Sequence, residues 1–383
     1  MTQESFPFYI GPWYRKSPYF EATKRYGCKS WGLYNHMLLP TLYEDPVSEY
    51  WALLEDVTLW DVSVERIVEI IGPDAFTLAN MLTCRDLSTC DVMQCKYAPI
   101  TAEAGGIVND PILLRLGEDR FWLALADSDA GLWVRALAVG SGLDVDVHEP
   151  PVYPVQVQGP KSKEVVRELF GDAVADLRYY FCAEASVDGI LLVVSRTGWT
   201  GEVGYEIYLR DGSRGDDLWE QVMEAGRPHG IKVIAPSEAR RIEAGIFNYG
   251  SDMTIRDNPF EITGLERLVE QQESDYVGKD SLERIRADGV QRKLVGIELG
   301  VDPLVAEAEL SDFWPVESKG ERVGHVTAAA YSPRLEKNIG YAWVPIGLAQ
   351  PGAVLTVLAP DGDAEAVVAE LPFVDPTKDI PKG

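Results

Sequence analysis

Val68-Glu69-Ile70-Ile71-Gly72-Pro73-Asp74-Ala75 is answered further along the chain by Val155-Gln156-Val157-Gln158-Gly159-Pro160-Lys161-Ser162. Each stretch is a run of strand-forming residues, then a Gly-Pro turn, then a helical segment (76–82 and 163–170) with proline at its entrance, where a missing N–H costs little. The copies start about 87 residues apart, as expected for one supersecondary unit used twice. Strand-like runs follow in both. The first copy has 97–100, a turn at Glu103-Ala104-Gly105-Gly106, the run 107–116 and the alternating run 120–126. The second has 181–187, an Asp188-Gly189 turn, 190–196 and 204–209. Helical patterns at 130–139 and 216–225 close the copies. This grammar predicts an α+β fold whose body is a duplicated βαββ-type unit, with a site between the copies. From about Arg292 the chain turns to short strands with Gly and Pro turns, which predicts a small β-barrel domain. The expected division is 1–285 for the body, as two subdomains, and 286–383 for the barrel domain.

Length and composition narrow the function. The 383 residues suffice for two or three packed units, and 46% apolar with 25% charged residues excludes a disordered or low-complexity chain. The net charge of −26 repels polyanions, so neither nucleic acid nor an anionic membrane surface is an expected partner. The start, Met1-Thr2-Gln3-Glu4-Ser5-Phe6-Pro7, lacks a basic and apolar leader pattern, and the longest apolar runs, such as 189–194, are strand-sized; a cytoplasmic protein is expected. Five cysteines (Cys28, Cys84, Cys90, Cys95, Cys182) without Cys-x-x-Cys pairs predict reduced, mostly buried thiols. Four histidines, none at i, i+3 or i, i+4 spacing, disfavour a histidine-built metal site.

Three features could carry chemistry. Asn109-Asp110-Pro111 sets a carboxylate beside proline at a strand position, where a charge needs a partner or a ligand, so Asp110 is the first candidate. Arg196-Thr197-Gly198-Trp199-Thr200-Gly201-Glu202-Val203-Gly204-Tyr205-Glu206 allows close backbone approach to a flat ligand, with Trp199 for stacking and Glu206 for accepting ring N–H groups. Aromatics crowd the first 34 residues (Phe6, Phe8, Tyr9, Trp13, Tyr14, Tyr19, Phe20, Tyr26, Trp31, Tyr34). Most should be packing, and a few near Glu65 could form a cage for an onium cation.

Together these motifs resemble the glycine cleavage T-protein (aminomethyltransferase) superfamily over nearly the whole chain. Residues 196–202 with Tyr205-Glu206 are similar to its folate-binding signature, and Tyr276-Val277-Gly278-Lys279-Asp280 and Ser332-Pro333-Arg334-Leu335-Glu336-Lys337-Asn338-Ile339-Gly340 to its later motifs. Several segments look more like the tetrahydrofolate-dependent dimethylsulfoniopropionate (DMSP) demethylases within it. These include Tyr34-Asn35-His36-Met37-Leu38-Leu39-Pro40, Glu65-Arg66, Thr83-Cys84-Arg85-Asp86-Leu87 and Asp257-Asn258-Pro259-Phe260-Glu261.

The resemblance implies three domains in a ring around a folate channel, no metal, tetrahydrofolate as co-substrate and a small methyl donor as partner, with a homodimer left open. It implies Asp110 as the catalytic carboxylate, and Tyr97, Asp110, Ile112, Leu114, Trp199 and Glu206 as folate-lining. Around the donor it implies Tyr34, Glu65, Ser128 and Trp199. The implied activity is methyl transfer from a DMSP-like sulfonium to N5 of tetrahydrofolate, as a demethylase of one-carbon metabolism. The alternatives are glycine-cleavage aminomethyl transfer, aromatic O-demethylation, and a non-enzymatic folate-binding protein; that last class normally carries a Lys-Gly-Cys-Tyr motif, and 275–279 has no cysteine. Two departures stand out. T proteins have an arginine near position 237, where this chain has Ser237, and a methionine where it has Glu65.

Overall fold

The computed structural model describes residues 10–304, 310, 312–360 and 362–383. Phe6, Phe8 and Tyr9, named above among the aromatics, lie outside the described residues.

The two copies form two sheets of matching order. In the first, Asp146–His148, Ile67–Ile71, Arg120–Ala124, Ile112–Arg115 and Cys95–Tyr97 lie side by side, all antiparallel. In the second, the equivalent order is Thr58–Asp61, Tyr153–Gln158, Gly204–Leu209, Ile190–Ser195 and Cys182–Val187, again antiparallel, with Lys232–Val233 added beyond Thr58–Asp61. The repeated unit is thus larger than βαββ. Each sheet takes an extra outer strand from chain outside its own copy, and the strand preceding copy one, Thr58–Asp61, joins sheet two.

The Gly-Pro turns explain how these outer strands are seated. Gly72 and Gly159 have φ of +137° and +118°. A Cβ on Gly72 would stand 2.6 Å from the Asp144 carbonyl oxygen, and one on Gly159 2.6 Å from that of Asp56. Asp144 and Asp56 each lie just ahead of the outer strand of the sheet in question. Glycine is needed at both places because two backbones touch there. Helices Ala75–Leu82 and Ser162–Phe170 follow the turns, and each covers its own sheet over a separate apolar core.

A third core joins the sheets to each other. Ile67, Cys95, Leu114, Trp122, Cys182, Val193 and Tyr208 pack together there, with the rings of Trp122 and Tyr208 6.0 Å apart. All five cysteines are free thiols, four of them buried.

The run 107–116 is not one strand. Ile107–Asn109 pairs with Ile100–Thr101 in a small sheet of its own, whereas Ile112–Arg115 belongs to the first main sheet. Pro111 cannot donate to a ladder, and it restricts the residue before it to an extended conformation. Asp110 therefore stands at a break between two sheets rather than within a strand.

Beyond helix Lys279–Asp288, six strands from Arg292–Leu299 to Gly362–Ala369 close into a barrel. Helix Glu238–Glu243 packs against barrel strands Glu321–Ser332 and Lys337–Pro345. Among the described residues no helix is long and apolar enough to cross a membrane.

Candidate functional site

A cavity of about 220 Å³ opens between the body and the barrel. Its walls come from distant parts of the chain. They are the hairpin Ser30–Tyr34 and Met37–Leu42, helix Pro46–Glu55, the segment after Thr58–Asp61 that carries Glu65, Gln156 and Trp199 of the second sheet and its loop, residues 235–239, and Ala330, Tyr331 and Pro333 of the barrel. Local chemistry fixes these walls. Asp45 caps helix Pro46–Glu55 by accepting from the N–H groups of Val47 (3.1 Å) and Ser48 (2.9 Å), with proline at its start. Ser237 caps Glu238–Glu243 with its hydroxyl and lines the cavity; no arginine stands there.

Glu65 is the unusual lining group. No described residue donates a hydrogen bond or ion pair to its carboxylate, although Arg66 beside it is engaged with Glu149. Burial holds its proton affinity well above the usual carboxylate range, and Glu206 and Asp110 push it in the same direction. Tyr34, Tyr50, Trp60, Trp199 and Tyr331 line the same cavity.

Glu206 lies just behind Gln156, with only 2% of its surface exposed. Gln156 Nε2 donates to Oε1 at 2.8 Å, and the Tyr208 hydroxyl donates to Oε2 at 2.8 Å. Thr197 donates to Oε2 as well, and Ser195 approaches at 3.4 Å. Four neutral groups thus hold one carboxylate without a cation. Gln156 Oε1 is buried without a hydrogen-bond partner.

Asp110 does not line the cavity as shaped in this structure. It lies beside lining residues Tyr34 and Glu65, whose proton affinities its charge raises. The Tyr97 hydroxyl donates to its Oδ2 at 2.8 Å, while Oδ1 is buried and unpartnered. Burial pushes its pKa up to about 7, against the lowering effect of the Tyr97 hydrogen bond.

The other expected residues divide. Tyr34 and Trp199 line the cavity, and the Tyr34 hydroxyl reaches Asn248 Oδ1 at 3.4 Å. Trp199 packs beside Leu53, Trp60 and Val62, with the Arg241 guanidinium 5.5 Å from its ring centre. Ile112 is half-buried at the edge of the inter-sheet core. Leu114 has no exposed surface and packs within that core, away from the cavity. Ser128, expected beside the donor, does not line the cavity either. Its hydroxyl donates to the Val108 carbonyl at 2.9 Å and accepts from Asn109 Nδ2 at 2.8 Å, which secures the turn ahead of Asp110. Arg196 reaches the other way, to the carbonyls of Leu177, Pro381 and Lys382.

Sequence reasoning missed Gln156, Tyr50 and Trp60. The signal for Gln156 was available: Gln156 and Gln158 alternate with valines in a strand buried on both faces, and such glutamines must satisfy something inside. Among the described residues no group of three or more His, Cys, Asp or Glu side chains is placed to hold a metal ion.

Known proteins share this framework. Residues 19–273 match the GCVT N-terminal domain family, and residues 292–375 match the glycine cleavage T-protein C-terminal barrel domain. Dimethylsulfoniopropionate demethylase DmdA of Ruegeria pomeroyi is 34% identical over 356 residues, covering 93% of this chain and 96% of that protein. The aminomethyltransferases of Symbiobacterium thermophilum (33% over 350 residues, 88% and 91% covered) and Desulfitobacterium hafniense (30% over 349 residues, 90% and 93%) are also similar. The crystal structure of the glycine cleavage system aminomethyltransferase T from Bartonella henselae superposes with a TM-score of 0.85 at 22% identity, over 94% of this chain and 98% of that one, and so shares its fold. With both domains matched in order and the cavity between them, the chain belongs to the glycine cleavage T-protein family.

Proposed function

We propose that the protein is a tetrahydrofolate-dependent methyltransferase that removes a methyl group from a small sulfonium or related onium donor, DMSP-like in its methylated end. The observation that carries this reading is Glu65: an unpartnered carboxylate in a cavity walled by tyrosine and tryptophan rings. Aromatic faces and a carboxylate attract an onium together, and the attraction strengthens where water is excluded. The similarity to a dimethylsulfoniopropionate demethylase supports the same choice.

Tetrahydrofolate, when bound, would supply the N5 amine that accepts the methyl group. The residues present fit such a ligand. Gln156 Oε1 and Asp110 Oδ1 are buried acceptors without donors, as expected where N–H groups of a ligand belong. Glu206 accepts from Gln156 Nε2 at 2.8 Å, which supports a role in orienting the amide whose Oε1 would meet the pterin edge. An onium methyl leaves on a neutral group, so the chain's work is alignment; fixing donor and acceptor in line can remove roughly 7–11 kcal/mol of barrier. Tyr34, Glu65 and Trp199 hold the cation. Asp110, with a pKa of about 7, takes at Oδ1 the proton released from the amine.

The test is product formation. The protein, tetrahydrofolate and a panel of sulfonium, ammonium and aryl methyl ether donors should give 5-methyltetrahydrofolate with an onium donor. Ammonia release from an aminomethylated lipoyl protein, with no methyl transfer, would assign the glycine-cleavage reaction instead.

A further inference from the structure

We propose that the donor site selects on net charge, and takes methyl-onium monocations in preference to zwitterions that carry a carboxylate on the same molecule. The proposal rests on the methyl-transfer reading for its substrate, and it narrows that substrate by what the cavity lacks as well as by what it holds.

Among the described residues that line the cavity there is no Lys, Arg or His, whereas Glu49, Glu65 and Glu238 all line it. The stretches outside the described residues contain no Lys, Arg or His either. Two of the three carboxylates are matched: Glu49 accepts from the backbone N–H groups of Tyr43, Glu44 and Ala235, and Glu238 is paired with Arg241 at 2.7 Å. Glu65 is not matched. Of the basic groups behind the wall, Arg241 holds Glu238 and Asp252 and Arg240 holds Glu202 and Glu243, while Arg334, next to Pro333, shares Glu202 with Arg240 at 3.6 Å and is not among the lining residues. Ser128, which could have met a polar tail, gives its hydroxyl hydrogen to Val108.

A monocation would therefore gain the aromatic walls and, by its own charge, favour the ionised form of Glu65 that burial alone disfavours, so that cation and carboxylate pair as the proton leaves to solvent. A zwitterion would gain the same at its onium end and bury a carboxylate without a donor of opposite charge, which is unfavourable.

Matched pairs provide the test: tetramethylammonium against glycine betaine, and trimethylsulfonium against DMSP, titrated calorimetrically into the full chain. The monocation of each pair should bind at least about tenfold more tightly. Glu65→Gln should reduce that ratio to about twofold, by weakening the monocation more than the zwitterion. Equal or tighter binding of the zwitterions by the unaltered protein overturns the proposal, as does binding by neither member of either pair. The same ligands, assayed for 5-methyltetrahydrofolate, separate the two levels. Preferential binding of monocations without product from any donor removes the methyl-transfer reading and leaves the selectivity standing. Product formed with zwitterions bound as tightly as monocations does the reverse.

Discussion

Asp110 meets two opposing demands in one carboxyl group. Its pKa of about 7 in the folded chain lies far above the ordinary 3.8. Between those values the native state holds a proton that the unfolded chain has released, so the contribution of this carboxyl to stability is fully present below about pH 4 and is lost as pH rises through 7. Asp110→Asn keeps the shape and cannot ionise. It should match the unaltered protein at pH 4 and exceed it at pH 8 by on the order of 1 kcal/mol, about 2 °C in Tm. Over the same change kcat should fall by about 10²–10⁴-fold, the usual contribution of a positioned base. A destabilised variant at pH 8, or one with near-normal turnover, would contradict this assignment. Tyr97→Phe tests the same carboxyl from the other side. The Tyr97 hydroxyl holds the Asp110 pKa down, so its loss should move the acidic limb of the kcat profile to higher pH by about half a unit to one unit. An unmoved limb would assign that limb to another group.

Among the elements, the hairpin Ser30–Tyr34 and Met37–Leu42 is a two-stranded sheet that forms one cavity wall. Asn35 and His36 form its turn with φ of +52° and +62°. Asparagine tolerates this conformation, and its side chain latches the tip to the body: Nδ2 donates to the carbonyls of Leu125 (3.3 Å) and Ala126 (3.0 Å), and its backbone N–H to Asp127 (2.8 Å). Asn35→Ala should cost about 2 kcal/mol in denaturant unfolding and raise the donor KM through Tyr34 next door, with kcat changed little. A KM unchanged in a destabilised variant would show that the latch does not position the site. This hairpin also shows where sequence reading stops. The Gly-Pro turns were legible because they are local chemistry, and so were the helices that follow them. The seating of Thr58–Asp61 in the second sheet, with a partner about 100 residues later, left no local mark. Glu65 was noticed for its charge, yet its lack of a partner is a statement about space that only the fold makes. Asp110 was legible as a residue and misread as part of a strand, because Pro111 breaks a run whose composition is otherwise continuous.

Across the whole molecule, the cavity depends on how barrel and body are joined. Asp252 is the node: it pairs with Arg241 at 2.7 Å, accepts from Thr327 of the barrel at 2.7 Å, and receives the Trp343 indole N–H on its carbonyl at 3.0 Å. Ser332 Oγ donates to Glu243, which also accepts from Tyr50 in the cavity wall. The barrel residues Ala330, Tyr331 and Pro333 are thereby held against helix Pro46–Glu55. The net charge of −26 also bears on the donor: a field of that sign draws a cation inward. Raising ionic strength from about 0.05 to 0.5 M should increase the KM of an onium donor several-fold by screening, with kcat held, and a KM indifferent to salt would show that steering plays no part. The central claim, that a methyl group passes to a folate amine beside Asp110, is tested most directly by following a deuterated methyl from an onium donor. Mass spectrometry should find the label in 5-methyltetrahydrofolate in step with the demethylated donor, at a rate cut by at least about a hundredfold in Asp110→Asn. Labelled product formed at the same rate by that variant, or no labelled product at all, would contradict the account.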